Sequence, residues 1–201
     1  MKIFSRIVLA CVLLQAAPTR AQEIVVTNLD RLVPANPTFT RLSQNQWLAA
    51  GFTTGGTSFE LDHIRPAIRL TTLSSQIVAE LREGGGAPGA PIQTFTPLFG
   101  DFLPDAPVML AANTSYYFSL GYLAGVTALT DWFHTTTNLT WDGPGALDDV
   151  YVSANQGGTW ATGGNLSDLL MLIEVVAVPE PGAPAAALVA SASLAALRRR
   201  S

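Results

Sequence analysis

Glycine and proline divide this 201-residue chain into short pieces, and the division limits the folds that the chain can adopt. The interruptions are Gly55-Gly56, Gly84-Gly85-Gly86 with Pro88, Pro97, Gly100, Pro104, Gly143-Pro144-Gly145, Gly157-Gly158 and Gly163-Gly164. Clusters of these residues mark turns, because glycine tolerates tight backbone bends and proline cannot continue a helix. The pieces between them carry no long helical periodicity. The sequence therefore predicts short strands joined by turns.

Eight of these pieces have the length and composition of β-strands. They are Gln46–Thr53, Phe59–Ile64, Ala67–Thr72, Ile77–Arg82, Ser115–Tyr122, Leu129–His134, Asp149–Ser153 and Leu170–Val176. In Ser115–Tyr122 the large apolar side chains alternate, with Tyr117 on the opposite face, which predicts a half-buried strand. Strands of this length and spacing predict an all-β fold, an antiparallel β-sandwich or jelly roll.

The first 21 residues have the layout of a secretory signal peptide. Two basic residues precede the eight-residue apolar run Ile7–Leu14, and small residues lead to a cleavage site between Ala21 and Gln22. The run is too short for a stable membrane span. Export is the interpretation that this layout favours. A first helix of the core and a lipoprotein acylated at Cys11 are the alternatives.

The end of the chain has a second apolar segment, Gly182–Leu197, which holds sixteen residues without a charge. As a helix it would be about 24 Å long, which is marginal for a hydrocarbon core of about 30 Å. Arg198, Arg199 and Arg200 follow it, as the positive-inside rule expects at a cytoplasmic end. We therefore predict a short transmembrane helix. The alternative, an amphipathic helix packed on the core, lacks a polar face beyond small serines.

The last 24 residues resemble the PEP-CTERM sorting signal of exported proteins. Val178, Pro179, Glu180 and Pro181 form the motif, and the apolar segment and the arginine cluster follow in order. The resemblance implies processing by exosortase, a membrane cysteine protease and transpeptidase, in a Gram-negative bacterium that makes exopolysaccharide. It also implies a precursor tethered transiently in the inner membrane, then delivery to the cell surface or extracellular matrix. The two prolines predict an extended segment outside any sheet ladder.

The central part of the chain also resembles a family. The stretches FTTGGTSFELDHIRPAIRL, IVAELRE and MLAANTSYYFSL, within Gln46–Leu120, resemble choice-of-anchor domains of the type R group. The resemblance implies an extracellular β domain without an assigned activity. Together the two ends and the centre predict three parts: a signal peptide at 1–21, a β domain at 22–177 and a sorting signal at 178–201.

Catalytic motifs are missing from the sequence. It has no HExxH metal site, no Gly-x-Ser-x-Gly nucleophile turn and no phosphate-binding loop. His63 and His134 lie far apart near predicted strand ends, and the sole cysteine, Cys11, belongs to the predicted signal peptide. We therefore predict a protein that is not an enzyme and has no cofactor. A carboxylate pair of the glycosidase type stays open, because nothing selects a pair among the acids.

The charge of the central part disfavours a nucleic-acid partner. Residues 22–177 hold five arginines and fourteen acids, a net charge of about −9, and no basic patch is visible. Asp142, Asp148 and Asp149 flank a Gly-Pro-Gly turn and are a candidate Ca²⁺ ligand set. The alternative for these three aspartates is a solvated acidic loop, and no other metal site is predicted.

Three tryptophans are candidates for stacking on sugar rings: Trp132, Trp141 and Trp160. Their alternative place is the core. The leading functional prediction is a structural or adhesive surface protein in an exopolysaccharide or biofilm context. A secreted carbohydrate-binding module that uses these tryptophans is the alternative, and an extracellular hydrolase with facing carboxylates is a third hypothesis.

Overall fold

The computed structural model describes residues 22–29, 38–70, 76–126, 130–135, 141–162, 170–171 and 173–179. These residues form fifteen strands and no α-helix. The strands are β1 (Glu23–Thr27), β2 (Thr38–Leu42), β3 (Trp47–Thr53), β4 (Phe59–Pro66), β5 (Ile68–Leu70), β6 (Ile77–Glu83), β7 (Pro91–Leu98), β8 (Asp101–Pro104), β9 (Met109–Leu110), β10 (Ser115–Tyr122), β11 (Thr130–Thr135), β12 (Ala146–Ser153), β13 (Ala161–Thr162), β14 (Leu170–Met171) and β15 (Ile173–Pro179). Every pairing among them is antiparallel. The predicted all-β, antiparallel class is confirmed.

The strands form two curled sheets. The larger sheet has the order β1-β15-β4-β8-β7-β6-β10-β3-β12-β13, and β9 adds to β4. The smaller sheet has the order β14-β11-β2, and β5 pairs with β11. The predicted signal peptide and residues 180–201 lie outside the described residues. Within the described ranges we find no helix with the length and apolar character needed to cross a membrane.

Side chains from both sheets share one main core. Phe118 of β10 lies near its centre, with its ring 5.3 Å from that of Phe95, 5.4 Å from that of Phe102 and 6.0 Å from that of Trp132. These contacts join three strands of the larger sheet to β11 of the smaller one. Full burial of one such side chain stabilises the fold by about 1.5–3 kcal/mol. The core therefore depends on aromatic residues that are far apart in the sequence.

The prediction of a half-buried strand at Ser115–Tyr122 is wrong on one point. The strand bounds are as predicted, but β10 is buried on both faces, from Tyr116 to Tyr122. On the face away from the main core, Tyr117 meets the Tyr151 ring edge-on at 5.4 Å between ring centres. Partners from β12 and from distant loops cover this face, and the alternation within β10 does not reveal them.

The β7–β8 hairpin was not among the predicted strands. The sequence places Pro97 at an interruption, whereas in the structure Pro97 lies inside β7 opposite Phe102. Phe99 and Gly100 form the two-residue turn with φ angles of 52° and 98°, the left-handed values that type I′ hairpin turns require. Phe99 is fully exposed at this turn. Proline rarely occurs inside strands, and for that reason the pattern did not indicate one here.

The first and last strands of the described chain are neighbours. β1 pairs with β15 from Glu23, which lies opposite Ala177. The other side of β15 pairs with β4, where Val178 lies opposite Glu60 and Pro179 lies opposite Phe59. The sheet ladder therefore extends two residues past the predicted domain boundary, and the prediction of an extended segment outside the ladder is wrong for Val178 and Pro179. A proline is tolerated at a strand end.

Candidate functional site

The structure separates the three tryptophans that the sequence nominates for sugar stacking. Trp132 is fully buried in the main core, so the proposed stacking role is wrong for this residue. Trp160 is partly buried on the outer face of the larger sheet, under the guanidinium of Arg82 at 5.2 Å. Trp141 is 36% exposed, and its indole N–H donates to the carbonyl oxygen of Gly145 at 2.9 Å. Of the three, Trp141 alone presents a substantial open surface.

The three candidate calcium ligands do not assemble. The backbone of Asp142 pairs with that of Thr27, while the Asp148 carboxylate accepts a 2.6 Å hydrogen bond from the Thr53 hydroxyl. The Asp148-Asp149 dipeptide forms an irregularity in β12, since the register shifts between Leu147 and Val150. The described part of the chain contains no group of three histidine, cysteine, aspartate or glutamate residues that could hold a metal ion.

His63 borders a small charged pocket at the β4–β15 region. Its Nδ1 lies 2.6 Å from the Asp62 carboxylate, and its Nε2 has no hydrogen-bond partner among the described residues. Arg65 donates to Asp101 at 2.6 and 3.2 Å and to Glu174 at 3.2 Å. The hydrogen bond from Arg65 holds the pKa of Asp101 below its usual range, although burial opposes this. The open pocket of about 280 Å³ is lined by Arg65 and Glu174, which already pair with one another, and by Glu23 and His63.

The smaller sheet carries a different kind of site on its outer face. The register of β11 sets Asp131 opposite Arg41 of β2 on one side and Arg69 of β5 on the other. Because alternate residues of a strand share a face, Phe133 and its partner Phe39 lie on the same side as these charges. The intervening residues of β11 point into the core. The five residues Phe39, Arg41, Arg69, Asp131 and Phe133 are called the Arg–Phe face below.

Two arginines share one buried carboxylate in the Arg–Phe face. Asp131 is fully buried, and it accepts hydrogen bonds from Arg41 Nε at 2.9 Å and from Arg69 Nη2. Burial alone would raise the pKa of this carboxyl, but the hydrogen bonds and charges of both arginines outweigh it and hold the pKa below its usual range. The arginine side chains are 51% and 56% exposed. The three groups together carry a net positive charge at the surface.

An exposed aromatic ring completes the Arg–Phe face. Phe39 is 42% exposed, and the guanidinium carbons of Arg41 and Arg69 lie 5.9 and 5.4 Å from its ring centre. Both distances are within the range of cation–π attraction. Phe133 supports the ring edge-on, at 6.4 Å and an angle of 88°. The arrangement can bind an anion that also has an apolar side.

The sequence contained only part of the signal for this face. Phe39-x-Arg41 and Asp131-x-Phe133 each alternate an aromatic with a charged residue, which places both on one side of a strand. What was missing is the pairing, because Arg41 is 90 residues from Asp131 and Arg69 is 62 residues from it.

A second buried charge lies on the outer face of the larger sheet. Arg82 is only 5% exposed, and it donates to Glu80, to the carbonyl oxygen of Gly89 at 2.8 Å and to that of Gly157 at 3.2 Å. Its guanidinium also covers the ring of Trp160. We call these five residues the Arg82 cluster. It ties two glycine-containing loops to strand β6, so its position indicates a structural role.

Acidification from pH 7 to pH 5 is expected to lower the free energy of unfolding through His134. Burial lowers the pKa of this imidazole from its ordinary value of 6.5, and a hydrogen bond with the Phe39 backbone opposes the shift only in part. The unfolded chain therefore takes up the proton first, so this stability contribution is intact above about pH 6.5 and declines as the pH falls toward the folded-state pKa. The size of the loss increases with the difference between the pKa values of the unfolded and folded states.

Urea unfolding of the wild-type protein and of His134→Gln at pH 7, 6 and 5 measures this contribution. The variant is expected to lose less stability over the interval than the wild type does, whatever its stability at pH 7. Identical pH slopes for the two proteins would contradict the assignment to His134.

Two comparisons with known proteins find no relative of this chain. A scan against protein-family models finds no match for the chain, and a search of the curated proteins finds none either. The function is therefore argued below from the residues and their geometry.

Proposed function

We propose that this protein is an exported, non-enzymatic surface or extracellular-matrix protein of a Gram-negative bacterium. Its sorting by exosortase would use Val178–Pro181, and its role would be structural or adhesive in an exopolysaccharide or biofilm context. The observation that carries the proposal is the succession of three sequence features at the end of the chain: the motif, the apolar segment and the arginine cluster. A signal peptide at residues 1–21 would start the export.

The fold supports this proposal through the position of the motif. β15 ends at Pro179, so Glu180 and Pro181 follow directly after the last residue of a paired strand. A cut near Glu180 would leave the strand and its pairing with β1 and β4 intact. The body would therefore keep its fold when the tail is removed.

The pairing of the first and last strands is also consistent with export and tail processing. Glu23, next to the predicted signal cleavage site, lies opposite Ala177, next to the sorting motif. The predicted signal peptide and the predicted transmembrane helix would thus leave the body side by side. For the body we propose a β-sandwich or jelly roll of the choice-of-anchor type, supported by a core to which both curled sheets contribute.

Fractionation of cells with and without exosortase tests the sorting step. In exosortase-positive cells we expect a shortened protein in the surface or matrix fraction, and in the deletion strain an uncut protein in the inner membrane. Glu180→Ala with Pro181→Ala changes the motif beyond the end of β15 and is expected to reproduce the deletion phenotype. Pro107→Ala, at an exposed loop position, is the matched control. Equal mass and distribution in both strains would exclude the proposal.

A carbohydrate-binding module is the second candidate, and one observation favours it. Trp141 remains accessible, with its N–H fixed by Gly145 and more than a third of the residue exposed. An exposed indole held in one orientation suits stacking on a sugar ring. Trp141→Ala is therefore included in the binding experiment described below.

A further inference from the structure

The charges of the described residues are unevenly balanced, and the surplus positive charge lies on the Arg–Phe face. Arg65 faces two acids, Asp101 and Glu174, and Arg82 is buried against Glu80. Arg41 and Arg69 instead share the single carboxylate of Asp131. Among the described residues, an anion at this face therefore meets two guanidiniums and only one carboxylate.

The two guanidiniums have the geometry to receive that anion. Each arginine has five N–H donors, and within the described residues Arg41 and Arg69 each use one of them on Asp131. Both groups are half-exposed, and the shared carboxylate fixes their positions before a ligand arrives. Hydrogen bonds from a guanidinium to a carboxylate are among the strongest that proteins make.

The exposed Phe39 ring adds a requirement that a simple anion does not meet. Both guanidiniums lie over this ring, and the 42% of Phe39 that remains exposed offers an apolar surface next to the cations. A neutral sugar would stack on the ring but offer the arginines only uncharged hydroxyl oxygens, and an inorganic anion would use the arginines without the ring. A sugar ring that bears a carboxylate uses both.

We propose that the Arg–Phe face binds a carboxylated polysaccharide, with a uronate unit stacked on Phe39 and its carboxylate held by Arg41 and Arg69. The assignment to a polysaccharide, as opposed to an acidic peptide, rests on the proposed matrix location. The site itself rests on the geometry alone. A polymer would present many such units, so that one face could bind at any of many equivalent positions along it.

Binding to polygalacturonate tests the assignment directly. The full-length protein, purified in a neutral detergent, is expected to bind polygalacturonate at low salt and to ignore neutral dextran. Phe39→Ala and Arg69→Gln should each weaken binding about tenfold. Arg65→Gln removes the same charge from a half-exposed arginine elsewhere and should change binding less than about twofold. Trp141→Ala should have equally little effect.

Phe39→Ala keeps the Arg41–Asp131–Arg69 contacts, so it separates recognition from folding. Thermal unfolding of each variant checks the fold.

Four results would overturn the proposal. They are failure to bind polygalacturonate, equal weakening by Arg65→Gln and Arg69→Gln, and loss of binding by Trp141→Ala while Phe39→Ala still binds. The fourth is binding of polyglutamate as tightly as polygalacturonate, with no weakening of polyglutamate binding by Phe39→Ala. This result would make the face an acidic-peptide site. None of these results depends on cleavage or location, so failure here is distinguishable from failure of the sorting proposal.

Discussion

Replacement of Gly121 by alanine is expected to lower the free energy of unfolding by about 3 kcal/mol. A Cβ atom at this position of β10 would lie 2.1–2.2 Å from three atoms of the Trp47 indole. The indole cannot move away easily, because it is 2% exposed and its N–H donates to the Tyr122 carbonyl oxygen at 2.9 Å. Gly157 also packs closely against the indole, since a Cβ atom at Gly157 would lie 3.3 Å from the same ring.

Urea unfolding of the full chain measures the effect of Gly121→Ala, and the same protein supplies a matched control. A Cβ atom added at Gly85 meets no atom within 4 Å, so Gly85→Ala is expected to change the free energy of unfolding by less than about 0.5 kcal/mol. If both variants unfold at the wild-type urea concentration, the indole does not pack on Gly121 in the way that the structure describes.

The sequence predicted the strands whose local pattern is strong. The bounds of β10 were predicted without error, because large apolar side chains alternate along it, and β3 differed by one residue, because an apolar run is bounded there by polar and turn residues. β1 and β2 were missed, since β1 (EIVVT) holds only three apolar residues and β2 (TFTRL) lacks a consistent apolar face. β7 was missed because Pro97 reads as a break. Local patterns therefore identify central strands better than short or proline-containing ones.

The candidate site could not be predicted, because it depends on pairing between distant segments. In the sequence, Asp131 is only a polar residue within a predicted strand. Its pairing with Arg41 and Arg69 depends on two other strands that lie beside β11 in the fold. The same limit affected the tryptophans. The sequence does not show whether a tryptophan lies in the core, as Trp132 does, or near the surface, as Trp141 does.

The two faces of the larger sheet are protected from water in different ways. Toward the main core, aliphatic and aromatic side chains pack together. On the outer face, a small cluster of Ala49, Tyr117 and Tyr151 is bordered by loops that polar contacts hold in place. Burial raises the pKa of Tyr117 to about 12, so its hydroxyl stays neutral across the physiological range. The outer face therefore depends on the groups that anchor these loops, and Arg82 is the most connected of them.

Substitution of Arg82 by methionine is expected to lower the free energy of unfolding by about 3 kcal/mol. The change leaves the largely buried Glu80 without its cation and removes the donor shared by the Gly89 and Gly157 carbonyl oxygens. Both loops would then lose the side-chain hydrogen bonds that hold them against Arg82, which should also increase proteolytic cleavage near residues 84–90 and 154–160 at subdenaturing urea concentrations.

The control for Arg82→Met is Arg65→Met, because Arg65 also pairs with acids but is 48% exposed. Exposed pairs contribute little, so this variant should lose less than about 1 kcal/mol. Glu80→Gln in the Arg82→Met background removes the unpaired charge and should restore part of the loss, which separates the buried charge from the loop contacts. Urea unfolding of the four proteins gives these free energies. Equal losses for Arg82→Met and Arg65→Met would show that the outer face is held by its aromatic packing and not by the buried arginine.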